Sequence, residues 1–242
     1  MLPKIQPRVP RGMRDILPQQ MLLRQYVIGE VEKVFQRFGF EPLQTPVLEL
    51  RETLMGKYGP DAEKLIYDAQ HREGKEELSL RYDLTVPLTR VVAMYPELVK
   101  PFKRYQIAPV WRAERPQKGR YREFYQCDAD IVGSKSMLAD AEIVTMIYTV
   151  FKQLGFKSFV TKINNRKILT GIGQYAGVPN ELLGGLYRSI DKLDKIGREA
   201  VREEMLKNAI PAAAVDKAME LLAIPADALG DLRARLGSVP AA

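Results

Sequence analysis

Leu23, Tyr26, Val27, Val31, Val34, Phe35 and Phe38 recur three and four positions apart in an otherwise polar segment. That spacing predicts an amphipathic helix over roughly residues 18–38, with Gly39 as its C-cap. The next eight residues, FEPLQTPV at 40–47, alternate apolar and polar and carry two prolines. They suit an edge strand, where a missing N–H breaks no ladder. Leu65–Ala69 and Leu78–Tyr82 flank HREGKEE and predict a hairpin. Leu84–Tyr95 reads as a helix that tolerates Pro87 in its first turn. Arg104–Arg112 and Glu123–Val132 are two longer apolar-rich runs separated by AERPQKGRYR. They predict a long antiparallel pair joined by a mobile basic loop. Met137–Leu154 is a second amphipathic helix, and Phe159–Ile163 a short strand.

From Arg166 onward the pattern is helical throughout, punctuated by VPN, AIPAAA and AIPADA, and alanine replaces the aromatics beyond Tyr187. A boundary near 164–180 follows, dividing the chain into a core at 1–163 and a small helical unit at 164–242. Strands mixed with helices, with at least one antiparallel pair, argue an α+β fold rather than a doubly wound parallel sheet.

The 242 residues, 46% hydrophobic and 28% charged, are enough to bury a core and exclude disordered and fibrous classes. Cys127 is the only cysteine and His71 the only histidine, so neither an intrachain disulfide nor a Cys/His zinc site is expected. The opening MLPKIQPRVPRGMRD is basic, broken by prolines and without an apolar stretch, so it does not read as a signal peptide. No run approaches 18 uncharged apolar residues, and a cytoplasmic chain with no membrane partner is the expectation. Sequences of the form GxxxxGK[ST], HExxH, CxxC and GxSxG are missing. GIGQYAG at Gly171–Gly177 sets its third glycine one residue late for a dinucleotide fingerprint and reads as a helix end. Any nucleotide phosphate must therefore be held by arginines.

The net charge of +7 favours anionic partners, and it is unevenly spread. Between Lys100 and Glu123, eight basic side chains face only Glu114 and Glu123. A solvated basic loop explains such a run as readily as a binding site does. Two details favour a site. Arg112 ends the apolar run QIAPVW, where an unpaired guanidinium is costly to bury. Gln126, Asp128 and Asp130 follow at period two and so share one face of the returning strand. A guanidinium fork suits phosphate, and carboxylates hold cationic groups. RYDLT at Arg81–Thr85 adds a second polar cluster, in which Asp83 or Thr85 serves as a helix cap, a ligand contact or both.

These residues resemble a known family. FGFEPLQTPVLE (38–49) is similar to motif 1 of class II aminoacyl-tRNA synthetases, ending in Pro46. FKRYQIAPVWRAERPQKGRYREFYQCDADIVG (102–133) is similar to motif 2 as histidyl-tRNA synthetases carry it. RGMRD, LSLRYDLT, INNRK at 163–167 and DKLDKIG at 191–197 follow the same family in the expected order. The resemblance implies an antiparallel catalytic sheet flanked by helices, with 164–242 a partial helical insertion domain. It also implies an N-terminal catalytic portion that stops before motif 3 and the anticodon-binding domain. The implied activity is ATP-dependent activation of L-histidine, with magnesium, and transfer to tRNA(His), by a homodimer formed through motif 1. By motif position, Arg112 would bind the α-phosphate and the histidine carboxylate, Glu114 adenine, and Arg120 the distal phosphates. Asp83, Thr85 and Gln126 would hold the α-amino group, Asp130 would read the imidazole, and Gln117 would lie near the tRNA acceptor end. Two other readings stand beside this one: a synthetase-like regulatory subunit of ATP phosphoribosyltransferase, and an RNA-binding module using the basic loop.

Overall fold

The structure is a computed structural model that describes residues 6–225 and 228–239. It divides into two compact units, 1–161 and 162–242.

In the first unit, helix α1 (Pro18–Arg37) buries Val31, Val34 and Phe35, the inner part of the predicted stripe. They pack with Phe40, Tyr105 and Met146. Met146 comes from α5 (Met137–Gln153), whose N-cap Ser136 accepts a hydrogen bond from the Leu138 N–H. Both helices cover one face of a sheet made of β1 (Glu41–Pro42), β5 (Phe102–Trp111) and β6 (Glu123–Val132). The β5–β6 pair is antiparallel over ten residues each, with Phe102 opposite Val132 and Trp111 opposite Glu123. A second sheet, in the order β2 (Leu48–Leu50), β4 (Leu78–Leu80), β3 (Asp68–Ala69), contains the expected hairpin in shortened form. Two short helices, α2 (Arg51–Leu54) and α3 (Pro60–Glu63), link these sheets' strands, and α4 (Thr85–Met94) follows β4 with Pro87 in its first turn.

Two local expectations fail, each for a physical reason. The edge strand expected over 40–47 is reduced to Glu41–Pro42, which pairs parallel to β5. Beyond it, the carbonyls of Thr45 and Pro46 accept from the Arg81 guanidinium instead of a neighbouring strand. Phe159–Ile163 is not a strand. Among the described residues nothing pairs with it, an extended segment gains little alone, and Val160 is 85% exposed. The basic connector contains a tight turn, in which Gln117 and Arg120 exchange backbone hydrogen bonds of 3.1 and 2.9 Å.

The second unit is helical: α6 (Arg166–Ala176), a 3₁₀ turn at Asn180–Leu182, α7 (Leu183–Ile190), α8 (Leu193–Lys207, kinked at Gly197), α9 (Ala212–Leu221) and α10 (Leu229–Leu236). Its core is aliphatic, built on Ile172, Leu186, Val201, Met205, Ile210 and Val215. GIGQYAG ends α6 as expected, with Gly177 left-handed at the cap. Gly173 is there for packing, since a Cβ would come within 2.3 Å of Leu183 Cδ2. Among the described residues, no helix is long and apolar enough to cross a membrane.

Candidate active site

The register of β5 and β6 sets Arg104 opposite Asp130, Gln106 opposite Asp128 and Ala108 opposite Gln126. Side chains alternate along a strand, so these six residues share the face turned away from α1 and α5. Arg104 has no exposed surface. Its Nη2 donates to the Leu84 carbonyl at 3.1 Å and lies 2.6 Å from Asp130 Oδ2, out of line for a hydrogen bond. Its Nε and Nη1, together with Gln126 Oε1, are buried without a partner among the described residues. Burial pushes the carboxyls of Asp128 and Asp130 up from their ordinary range, while Arg104 pulls both back down. Asp83 acts on both, and Arg112 on Asp128, which places three carboxylates and two guanidiniums in one electrostatic cluster.

Asp83 sits at the β4–α4 junction. Its Oδ1 accepts from the Val86 N–H at 3.0 Å, so it does cap α4, and from the Tyr58 hydroxyl at 2.8 Å. Thr85 opens α4, is exposed and makes no side-chain hydrogen bond among the described residues.

Arg112 follows β5 directly. Its Nε donates to the Tyr82 carbonyl at 3.2 Å, and its guanidinium lies over the rings of Tyr82 and Phe124, at 4.4 and 5.1 Å from their centroids. The stacking fixes the plane of the fork and leaves both terminal nitrogens without a protein acceptor among the described residues. Arg112 shares a cavity of about 250 Å³ with Glu114, Gly119, Arg120, Tyr121 and Phe124. Here Glu114 and Arg120 pair with each other, Oε2 to Nη1, at 3.2 Å. Gln117 occupies the turn beyond them.

A strap from the chain start holds this loop. Gly12 O accepts from the Arg122 N–H at 2.8 Å, and the Arg14 guanidinium covers the Tyr121 ring at 3.8 Å. Gly12 has φ +84°, and a Cβ there would stand 2.7 Å from Pro116 Cγ.

The structure thus gathers Asp83, Arg112, Gln126 and Asp130 around one sheet face, and groups Arg112, Glu114 and Arg120 around the adjoining cavity. Sequence reasoning left three neighbours unassigned. Arg104 was half legible: alternation along β5 puts it on the face of Gln106, and only the register sets it opposite Asp130. Arg81 is all but fully buried, with its Nε donating to the Pro109 carbonyl at 2.9 Å. Tyr58 carries no local signal; only the fold brings it to Asp83.

The family model described as histidyl-tRNA synthetase matches residues 12–242. A histidine–tRNA ligase from Aeropyrum pernix is 48% identical over 237 residues, covering 96% of this chain and 54% of that protein. The chain spans about half the length of the curated relatives it matches. The crystal structure of a histidyl-tRNA synthetase from Nostoc sp. PCC 7120 superposes with a TM-score of 0.85 at 31% identity, over 98% of this chain and 55% of that one. A Bacillus halodurans structure described as an ATP phosphoribosyltransferase regulatory subunit/histidyl-tRNA synthetase matches at TM-score 0.75 but only 21% identity, over 94% of this chain and 59% of that one, a likeness in fold alone.

Proposed function

The chain belongs to the histidyl-tRNA synthetase family, and on that premise we propose that it forms the N-terminal catalytic portion of a histidine–tRNA ligase. One observation carries this reading: a guanidinium held against two aromatic rings lines a cavity and acts on Asp128, a member of a cluster of three carboxylates. The first suits a phosphate, the second a substrate with an ammonium and a ring N–H.

The histidine carboxylate attacks the ATP α-phosphorus, the new P–O bond forms as the bond to pyrophosphate breaks, and a tRNA ribose hydroxyl then takes the histidyl group from the adenylate. The first step needs in-line geometry and positive charge where the phosphoryl oxygens gain negative charge, not a catalytic base. Arg112 supplies that charge and also holds the attacking carboxylate. Asp83, Thr85 and Gln126 receive the α-amino group, and Asp130 accepts the imidazole N–H. Glu114 contacts adenine and Arg120 the distal phosphates, so their mutual ion pair opens when nucleotide enters. Gln117 faces the tRNA acceptor end.

Among the described residues, no three His, Cys, Asp or Glu side chains cluster as metal ligands. Magnesium would therefore be held chiefly by the nucleotide phosphates, as is usual for this ion. Dimerisation through residues 38–49 and a cytoplasmic location belong to the same proposal. The regulatory reading draws on fold likeness alone, whereas the relatives at 42–49% identity are named histidine–tRNA ligases.

Pyrophosphate exchange into ATP, with each of the twenty amino acids supplied separately, tests the proposal. In the full-length ligase histidine alone should support exchange; exchange driven by a different amino acid overturns the proposal.

A further inference from the structure

Tyr58 lies in the short connector between α2 and α3, outside every motif that carried the family resemblance. Two donors fall on the same oxygen of Asp83, the Tyr58 hydroxyl at 2.8 Å and the Val86 N–H at 3.0 Å. With Oδ1 doubly occupied, the carboxylate can rotate about neither contact, and Oδ2 is the oxygen left for a ligand. The phenol ring packs on Tyr82 with centroids 4.8 Å apart, and Tyr82 is the ring beneath Arg112. A single stack, Tyr58–Tyr82–Arg112, therefore joins the carboxylate at the α4 start to the guanidinium at the β5 end. The connector is folded back on itself by the Gly56 N–H, which donates to Glu63 Oε1 at 2.7 Å. Burial, and then Asp83, push the Tyr58 hydroxyl far above its ordinary range, so it remains a donor at any working pH.

We infer that Tyr58 is a positioning residue for the ammonium subsite, fixing Asp83 so that one oxygen meets the substrate α-amino group at a set distance from the Arg112 fork. This rests on the function proposed above and deepens it. Holding the amino group and the carboxylate-binding arginine in one rigid stack makes the site a gauge for an α-amino acid, in which those two groups are separated by a single carbon. Tyr58 touches neither reacting atom and acts through Asp83.

The test is calorimetric binding of L-histidine, L-histidinol, imidazole-4-propionate and ATP to the wild-type chain and Tyr58→Phe. The variant keeps the ring and its stacking and removes only the hydroxyl. Loss of a hydrogen bond to a charged group predicts about a tenfold weakening for the two amines, L-histidine and L-histidinol. ATP and imidazole-4-propionate, which has no amino group, should bind both proteins alike. In an Asp83→Asn background Tyr58→Phe should change nothing further, because the interaction it serves is already gone. Unchanged histidine binding by Tyr58→Phe overturns the inference, as does an equal loss for imidazole-4-propionate. Wild-type protein that binds L-histidine no better than other amino acids overturns the underlying reading, and shows it before any substitution is compared. Thermal unfolding separates misfolding from these outcomes, and the double substitution keeps the inference open to refutation even where Tyr58→Phe is destabilised.

Discussion

Arg104 and Asp130 face each other across the β5–β6 register, 2.6 Å apart, with the arginine wholly enclosed. Burial drives the guanidinium below its ordinary pKa range, and Asp130 is the largest influence holding it up. Removing the carboxylate alone takes the nearest counter-charge from a buried guanidinium, which costs roughly 3 kcal/mol. Asp130→Ala should therefore lower stability in urea titrations by about that amount, while Asp130→Leu with Arg104→Met should recover most of the loss. A double variant no better than the single would show that the pair is not coupled. On the proposed function, Asp130→Ala should also weaken histidine binding more than ATP binding, and equal losses would contradict imidazole reading.

Arg112 is positioned by contacts that use its Nε and its faces, not its terminal nitrogens. Arg112→Ala should leave the unfolding midpoint within a few degrees of wild type while cutting histidine-dependent pyrophosphate exchange by the full-length ligase by about 10²–10³-fold, the usual effect of removing one donor aimed at developing negative charge. Exchange retained at a wild-type rate would remove this residue from the chemistry.

What could be read from the sequence was whatever repeats with a period. The stripe from Val31 to Phe35 fixed α1, and the alternation in Glu123–Val132 fixed both the strand and the face that carries Gln126, Asp128 and Asp130. Phe159–Ile163 has the composition of a strand, but pairing decides strands, and composition says nothing about a partner. Thr45–Pro46 looked extended until Arg81, far along the chain, took their carbonyls. Arg104 was counted as charge when its register position made it the counterion of Asp130. Tyr58 is the clearest gap: 25 positions separate it from Asp83, and no spacing rule spans such a loop.

Gly12 permits the close approach that ties the chain start to the basic loop. At φ +84° and 2.7 Å from Pro116 Cγ, an added Cβ is opposed by both conformation and contact. Such a backbone conflict costs on the order of 1–3 kcal/mol locally. Gly12→Ala should free the strap without unfolding the unit, read as faster amide exchange at Arg122, whose N–H donates to the Gly12 carbonyl. Unchanged protection at Arg122 would show that the strap does not hold the loop.

Asp128 gives the pH dependence. Burial raises its folded pKa, Asp130 and Asp83 raise it further, and Arg104 and Arg112 oppose them. An acid whose folded pKa lies above its unfolded value of 3.8 binds protons more readily when folded, so it destabilises the fold wherever it is ionised in both states. The destabilisation is fully present above the raised folded pKa and fades as pH falls through it toward 3.8. Asp128→Asn should therefore raise the melting temperature at pH 7.5, and the gain should shrink as the pH approaches 4. Melting curves of wild type and Asp128→Asn between pH 4 and 7.5 decide the matter. A gain from Asp128→Asn that is absent or independent of pH would mean that Arg104 and Arg112 outweigh burial and the two neighbouring carboxylates.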